Sequence, residues 1–468
     1  MAGTLLLVNM IPKSLSGEEE QDSEPMLAVN PNNPQHIVGT AFTPNPLGGN
    51  LAPVYVSTDG GNTWTLNAIV PAEGDITGDI TVAFGPRSNN LYAGILKMPQ
   101  PQQDTELKIL RTKNFQAATP MQVLVDRQGT DQPFIQAAAN GAATERVYVG
   151  DNDFNLNPGK TSTVDFSLNA AAATAAFKSA SIESRTSAQQ NGPQVRTACH
   201  KSGVTYVAFY GWRKQSGNWN GNTLKITADV VVVRDDSGAS GANPFRDLKD
   251  PSDNLPGRIV ASKVTFPFRS SGKSQEGFQR LGGDLAIAVN PVDSKIVYLG
   301  FTGLLNNKYT LHVRRSTDSG QTWSDDLLTV PFGINVGLAV NANGDAGLLY
   351  QQLTGSGGNA RWVTHFRTAS GASPDSWSDL VLSDHRANSP SNNVPNGFDP
   401  YLGDYAYLTS QGMDYYGIFS ASNEPDMAHF PSGVTYQRNH NFASKTLTNL
   451  AGAPVRISID PFFFKFTP

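Results

Sequence analysis

An all-β fold, a seven-bladed β-propeller of four-stranded blades with six blades as the alternative, is what this sequence predicts, on three observations. Only 16% of the 468 residues are charged, while 44 glycines and 30 prolines exceed what a helix-rich chain of this size carries. One hairpin-like segment recurs seven times along the chain. The length then allows about 67 residues per copy, enough for four strands and their loops. Arranged radially, such blades leave only short, protected edges, which is how an all-β chain this long avoids edge-to-edge pairing.

Each copy opens with an acidic or amide residue, often followed by proline, and continues as an apolar stretch, a turn and a second strand. The copies run Glu24–Phe42, Asp79–Leu96, Asp131–Asp151, Gln194–Tyr210, Asp284–Phe301, Asn335–Tyr350 and Asp399–Phe419. Ala28-Val29-Asn30-Pro31 recurs as Ala288-Val289-Asn290-Pro291, and Ala339-Val340-Asn341-Ala342 is its relative. Asn-Pro starts a turn because proline fixes φ and the Asn side chain bonds the backbone ahead of it. The apolar ends, Thr4–Met10 and Val455–Phe466, are expected to pair in one blade and close the ring. The whole chain, 1–468, reads as one domain. Polar segments at Arg213–Asn222 and Asp384–Gly397, and a long insertion at 235–280 in the fourth blade, read as loops over a face of the ring.

The net charge of −5 supplies no basic field for a phosphate backbone, so nucleic acid is not an expected partner. The one cysteine, Cys199, excludes an intrachain disulfide framework. Its neighbour His200 faces the other side of a strand, which argues against a Cys/His nucleophile. The seven histidines lack the spacing of a histidine-rich zinc site. The opening MAGTLLLVNMIP reads as a strand and lacks the basic region and cleavage site of a secretion signal. The compartment stays open, extracellular if a leader has been removed. No apolar run is long enough to span a bilayer.

The strongest local signal is Ser57-Thr58-Asp59-Gly60-Gly61-Asn62-Thr63-Trp64, matched by Ser316-Thr317-Asp318-Ser319-Gly320-Gln321-Thr322-Trp323. In such a hairpin the aspartate accepts backbone N–H groups, the glycine takes a positive φ, the threonine satisfies local donors and the tryptophan packs beneath. Ser57, Asp59, Gly61, Thr63 and Trp64, with Ser316, Asp318, Gly320, Thr322 and Trp323, are therefore read as structural. Degenerate relatives lie at Arg367–Trp377 and around Arg234–Gly238. The pattern resembles the Asp-box, or BNR, repeat of the sialidase-like β-propellers. That resemblance implies a site at the central channel with an arginine triad, a tyrosine assisted by a glutamate, and an aspartate acid. Where the family carries its first arginine, this chain has Glu24-Pro25-Met26. Arg196 and Arg280 stand as arginines of such a site, and Tyr401 or Tyr405 as its phenol.

Independently of that resemblance, blade symmetry brings the copy starts together at the channel: Glu24, Asp79, Asp131, Gln194, Asp284, Asn335 and Asp399. Crowded acids raise one another's pKa and call for a cation, an arginine or a polyhydroxylated ligand. An acid at a strand start also caps a turn with no further role, and one ancestral blade accounts for the recurrence equally well. If the site is hydrolytic, Asp131, Asp399 and Tyr401 are the catalytic candidates. Glu24, Asp284, Arg196, Arg280 and Trp219 are the substrate-binding candidates, with Trp219 stacking on a sugar ring. The sequence specifies no cofactor, and Ca²⁺ held through Asp79 and Asp284 is the ion the acid ring suggests. Two functions follow as alternatives. One is a glycan-active enzyme, an exo-sialidase-like glycoside hydrolase acting on a carbohydrate or glycoconjugate. The other is a non-catalytic propeller that binds a glycan or a protein partner.

Overall fold

All seven expected hairpins are present in the computed structural model, which describes residues 3–42, 53–71, 76–99, 104–141, 144–157, 159–188, 190, 192–218, 223–269, 276–277, 279–389 and 400–468. Seven antiparallel sheets of four strands follow one another along the chain. Their first strands are Ser23–Val29, Ile76–Phe84, Thr130–Asn140, Val195–Cys199, Leu285–Val289, Gly333–Val340 and Tyr407–Gln411. Each of these contacts the next, and the seventh contacts the first. The sheets therefore form a closed ring of seven blades whose first strands line the central channel. Among the described residues there are no α-helices, only three short 3₁₀ turns. No helix there is long and apolar enough to cross a membrane.

The ring closes by exchange of chain ends. Thr4–Asn9 is the outermost strand of the seventh blade and pairs antiparallel with Ile459–Thr467, so Val8 lies opposite Phe463. Along that last strand the side chains alternate between two buried faces. Phe462, Phe464 and Phe466 pack with Leu349 and Phe366 of the sixth blade, whereas Phe463 packs with Tyr55 and Trp64 of the first. Each fully buried Phe contributes about 1.5–3 kcal/mol, so the seam is held by apolar burial as well as by the ladder. A small sheet of Asn439–Asn441, Thr446–Thr448 and Pro454–Val455 is inserted before the closing strand.

The turns form as their chemistry requires. Asn30 Oδ1 accepts from the Asn32 N–H at 2.9 Å, Asn290 Oδ1 from the Val292 N–H at 2.8 Å, and Asn341 Oδ1 from the Asn343 N–H at 3.0 Å. The two S-x-D-x-G-x-T-W turns are near copies of each other. Asp59 accepts from the Thr63 N–H at 2.9 Å and hydroxyl at 2.6 Å, and Asp318 does the same with Thr322 at 2.8 and 2.6 Å. Ser57 and Ser316 each accept from the N–H of Gly61 and Gly320 at 2.9 Å, and Trp64 and Trp323 donate to those glycines' carbonyls at 3.1 Å. Gly61 sits at φ +92°, and a Cβ there would lie 2.1 Å from the Phe463 ring. The degenerate turn after Arg234 keeps the logic with different residues, because Asp235 accepts from the N–H of Ser237 and Ala239.

The loop boundaries need correction. Segment 235–280 contains the fourth blade's outer strand, Arg258–Pro267, and Arg213–Ser216 continues the strand Thr205–Ser216. Alternating apolar residues such as Val260, Val264 and Phe266 sit inside a stretch whose Gly, Ser and Lys content masks the strand. Likewise Asp384–Arg386 ends the strand Leu380–Arg386. Trp212, within the strand Thr205–Ser216, is buried against Phe268.

Candidate functional site

Propeller symmetry brings the openings of the first strands to one end of the channel, and local backbone irregularity decides which side chains enter it. The first, second, third and sixth blades each carry a register shift there, between Ser23 and Met26, Thr77 and Ile80, Asp131 and Phe134, and Ile334 and Gly337. Glu24, Gln132 and Asn335 take positive φ within these bulges. A bulge turns a strand start away from the regular alternation and re-aims its side chain. Strand starts thus contribute acids from different register positions: relative to the place that Glu24 holds, Asp131 lies one residue earlier and Asp79 one residue later.

Glu24, Asp79, Asp131, Asp284 and Asp404 converge there with Arg196, Arg280, Tyr401 and Tyr405, as their mutual electrostatic influence and contacts show. The loop 400–406 completes the group. Its backbone is pinned by glutamine side chains from three directions: Gln279 to Pro400 O at 2.6 Å and Leu402 N at 2.9 Å, Gln21 to Tyr401 N at 3.0 Å, and Gln194 to Asp404 O at 2.9 Å. Gly403, at φ +103°, lets the loop lie against Glu24, since a Cβ there would be 2.4 Å from the Glu24 nitrogen.

The Tyr401 hydroxyl lies against Glu24 Oε1 and 2.7 Å from Asp404 Oδ1, and Arg280 Nη2 is 2.9 Å from Asp404 Oδ2. Tyr405 donates to Asp79 at 3.1 Å. One phenolic proton serves one acceptor, so a second acid beside Tyr401 must carry its own proton. Glu24 is that acid: burial, then the charges of Asp79 and Asp404, hold its carboxyl well above the usual range, and it bonds to Asp79. Burial also raises Asp79. Five carboxylates against two guanidiniums would leave three uncompensated negative charges if all were ionised, and protonation relieves them.

Asp131 is the least enclosed of the five carboxylates. Burial and the charge of Asp79 push its carboxyl up to about 7, while the Gln132 N–H bonds it at 2.9 Å. Asp284 is also raised to about 7, chiefly by burial, although it accepts from the Asn335 N–H at 2.8 Å. Arg196 is clamped between the rings of Phe134 and Tyr405, 4.7 and 5.4 Å from their centroids. Burial lowers its pKa to about 10, and its buried Nη2 has no hydrogen-bond partner among the described residues. The cavity against it measures about 30 Å³, room for one water.

Of the sequence-predicted residues, Glu24, Asp79, Asp131, Asp284, Arg196, Arg280 and Tyr401 are brought together, whereas Asp399 and Trp219 lie outside the described residues. The seventh blade's first strand begins at Tyr407, so the described acid at its opening is Asp404. Among the described residues, neither Asp79 nor Asp284 belongs to a group of three residues at metal-ligand spacing, and the Ca²⁺ reading at that pair is not carried by the geometry there. Their oxygens face Glu24, Tyr405 and the Asn335 backbone instead. Sequence reasoning missed Gln279 and Gln21, because a pinning glutamine has no spacing signature. Cys199 has its thiol pushed up to about 12 by burial, and His200 bonds Ser202 and Pro291 instead of the thiol.

The chain matches no family model and no curated protein. Solved structures resemble it distantly. An α-L-arabinofuranosidase from Fusarium graminearum in complex with an iminosugar inhibitor has 10% identity and a TM-score of 0.42, covering 83% of this chain and 99% of that one. A Penicillium chrysogenum α-L-arabinanase complexed with arabinobiose has 11% identity and a TM-score of 0.43, over 82% and 98% of the two chains. The phage phi92 endosialidase has 12% identity and a TM-score of 0.42, over 99% and 69%. At this level of similarity no site or activity transfers.

Proposed function

We propose that this propeller is a sialidase-like glycoside hydrolase acting on a carbohydrate at the strand-start end of its channel. The observation that carries the reading is the Tyr401–Glu24 pair beside Asp404–Arg280, facing a carboxyl raised to about 7 at Asp131. Glycosidic cleavage needs a protonated carboxyl to donate to the leaving oxygen and a second group to meet the anomeric carbon or activate water. Asp131 fits the donor role, being protonated near neutral pH and the least enclosed acid. Tyr401 fits the opposite role, with Asp404, 2.7 Å from its hydroxyl, placed to take the phenolic proton while Glu24 keeps its own. Arg196, with a donor left over, fits a polar substituent of the sugar. The two S-x-D-x-G-x-T-W turns support the sialidase-like assignment, although the family's first arginine is replaced by Glu24.

A panel of fluorogenic glycosides, including sialosides and arabinofuranosides, tests this with the unmutated protein, Asp131→Asn and Tyr401→Phe. Turnover of at least one substrate, reduced about 10²-fold or more in Asp131→Asn, is expected. Cleavage of none, or full activity in Asp131→Asn, overturns the assignment.

One observation favours a second reading, a glycan- or protein-binding scaffold. Glu24, Asp79, Asp404 and Arg280 are each less than a tenth exposed and largely satisfy one another. Saturable sugar binding without turnover would select that reading.

A further inference from the structure

Away from the channel, a group of chemistry-bearing side chains lies at the junction of the sixth and seventh blades. After the seventh blade's second strand, Asp414–Ser422, the chain reads Glu424-Pro425-Asp426-Met427-Ala428-His429. A 3₁₀ turn, Met427–His429, folds this segment back on itself: Asp426 Oδ1 accepts from the Ala428 N–H at 2.9 Å, and the His429 N–H donates to the Asp426 carbonyl at 2.9 Å. One ligand atom from each of Glu424, Asp426 and His429 then lies within 4.8 Å of the other two. The turn packs on Leu380–Arg386, the outer strand of the sixth blade. Both strands end on the face where the first strands begin, so the group shares that face with the channel acids.

Hydrogen bonding leaves the imidazoles here underused. His429 is 7% exposed, and its Nδ1 stands 3.4 Å from Glu424 Oε2 without a hydrogen-bond partner among the described residues. Its Nε2 is 3.8 Å from Asp426 Oδ2. Independently, His385 on the sixth blade, 1% exposed and close enough for the two rings to interact electrostatically, bonds the Arg386 carbonyl through Nδ1 at 3.1 Å, while its buried Nε2 has no partner among the described residues. Buried polar nitrogens are normally bonded, so two such atoms in one place mark a ligand-binding arrangement. The charges are uneven. Lys445, in the inserted small sheet's turn, lies 2.6 Å from Asp426 Oδ2, but about half of its side chain is exposed and it is free to turn into solvent. Arg361 is engaged by Asp384.

We infer that Glu424, Asp426 and His429 form a binding site for one divalent transition metal of the zinc class, which displaces Lys445 from Asp426 and has His385 beside it. An imidazole joined by two carboxylates suits such a metal, whereas Ca²⁺ and Mg²⁺ take oxygen donors. Ligand atoms of a tetrahedral site with bonds of about 2.0–2.2 Å stand about 3.4 Å apart. That is the separation between His429 Nδ1 and Glu424 Oε2. Two carboxylates match the ion's charge once Lys445 leaves. The site stands apart from the hydrolase reading, because none of its residues belongs to the channel group.

The experiment uses the full chain without a histidine tag, stripped with chelator and dialysed against Zn²⁺, with bound metal counted by mass spectrometry and Kd obtained by competition with a chromophoric chelator. One zinc per chain is expected, undisturbed by excess Ca²⁺ or Mg²⁺. Loss of an outer partner alone costs a metal site about 10–100-fold, so His429→Gln and the partly exposed Glu424→Gln should each weaken binding by about a hundredfold or more. Glu424→Gln keeps the test open should the buried histidine variant fail to fold. Lys445→Met, which removes the competing cation, should tighten binding, and His36→Gln on the first blade should leave it unchanged. No stoichiometric zinc in the unmutated protein would overturn the site. Binding undiminished in Glu424→Gln, or weakened in Lys445→Met, would overturn it as well.

Discussion

The hydroxyl of Tyr401 and the carboxyl of Glu24, 377 residues apart in the chain, share a hydrogen bond at the mouth of the channel. Glu24 opens the first blade, and Tyr401 precedes the strand that lines the seventh, so the bond crosses the ring's closing seam. Tyr401→Phe removes the donor between two buried acids. We expect a stability loss of about 1–3 kcal/mol by chemical denaturation, together with a shifted pH profile of any glycosidase activity.

Asp131 links the site to pH. Its folded pKa of about 7 lies above the ordinary carboxyl value of about 4, so the folded chain holds the proton more tightly. The resulting stabilisation is complete below about pH 4 and is lost as pH rises through about 7. Asp131→Asn removes this term, so melting points measured from pH 4 to 8 should fall less steeply with pH in the variant. Identical slopes would show that Asp131 is not raised.

Gly403 sets the approach of the Tyr401 loop to Glu24. Gly403→Ala puts a methyl 2.4 Å from the Glu24 nitrogen at a backbone conformation unfavourable for alanine. The loop must move, at a cost of about 1–3 kcal/mol, and activity should drop even though no catalytic atom is changed. Crystals of the variant would show whether the Tyr401–Glu24 bond survives.

The turn aspartates respond in the opposite sense to the channel acids. Burial at Asp59 acts to raise its carboxyl, but the bonds from Thr63 and Ser57 together outweigh it and hold the carboxyl below the usual range. Its contribution is therefore present above about pH 4 and disappears as pH falls through the lowered folded value. Asp59→Ala should cost about 1 kcal/mol at neutral pH and leave any activity intact, because the turn lies at the other end of the strands. Loss of activity without loss of stability would contradict a structural role.

Some repetition became visible only in three dimensions. His312 stacks on Phe301 and bonds Asp326 at 2.8 Å with Arg314 beside it, and His365 stacks on Tyr350 and bonds Asp379 at 2.9 Å with Arg367 beside it. The shared His-x-Arg spacing in neighbouring blades was present in the sequence, but its aspartate comes fourteen residues later and carries no local pattern. The loops at 213–222 and 235–280 were misread for the related reason that a strand rich in polar residues on one side looks like loop until its partner strand is known.

The opening hairpins, the Asn-led turns and the two aspartate turns were determined by the sequence alone, because each depends on residues close together in the chain and on a period of two, whereas the choice of seven blades over six rests on the ring of first-strand contacts. Which acids meet was decided by tertiary structure. Bulges set Glu24, Asp79 and Asp131 at different register positions, and Gln279, Gln21 and Gln194 hold a loop that presents Asp404 and Tyr401 to the channel. Those orientations depend on partners up to several hundred residues away, and the proton that Glu24 retains depends on the burial and charge that only the closed ring creates.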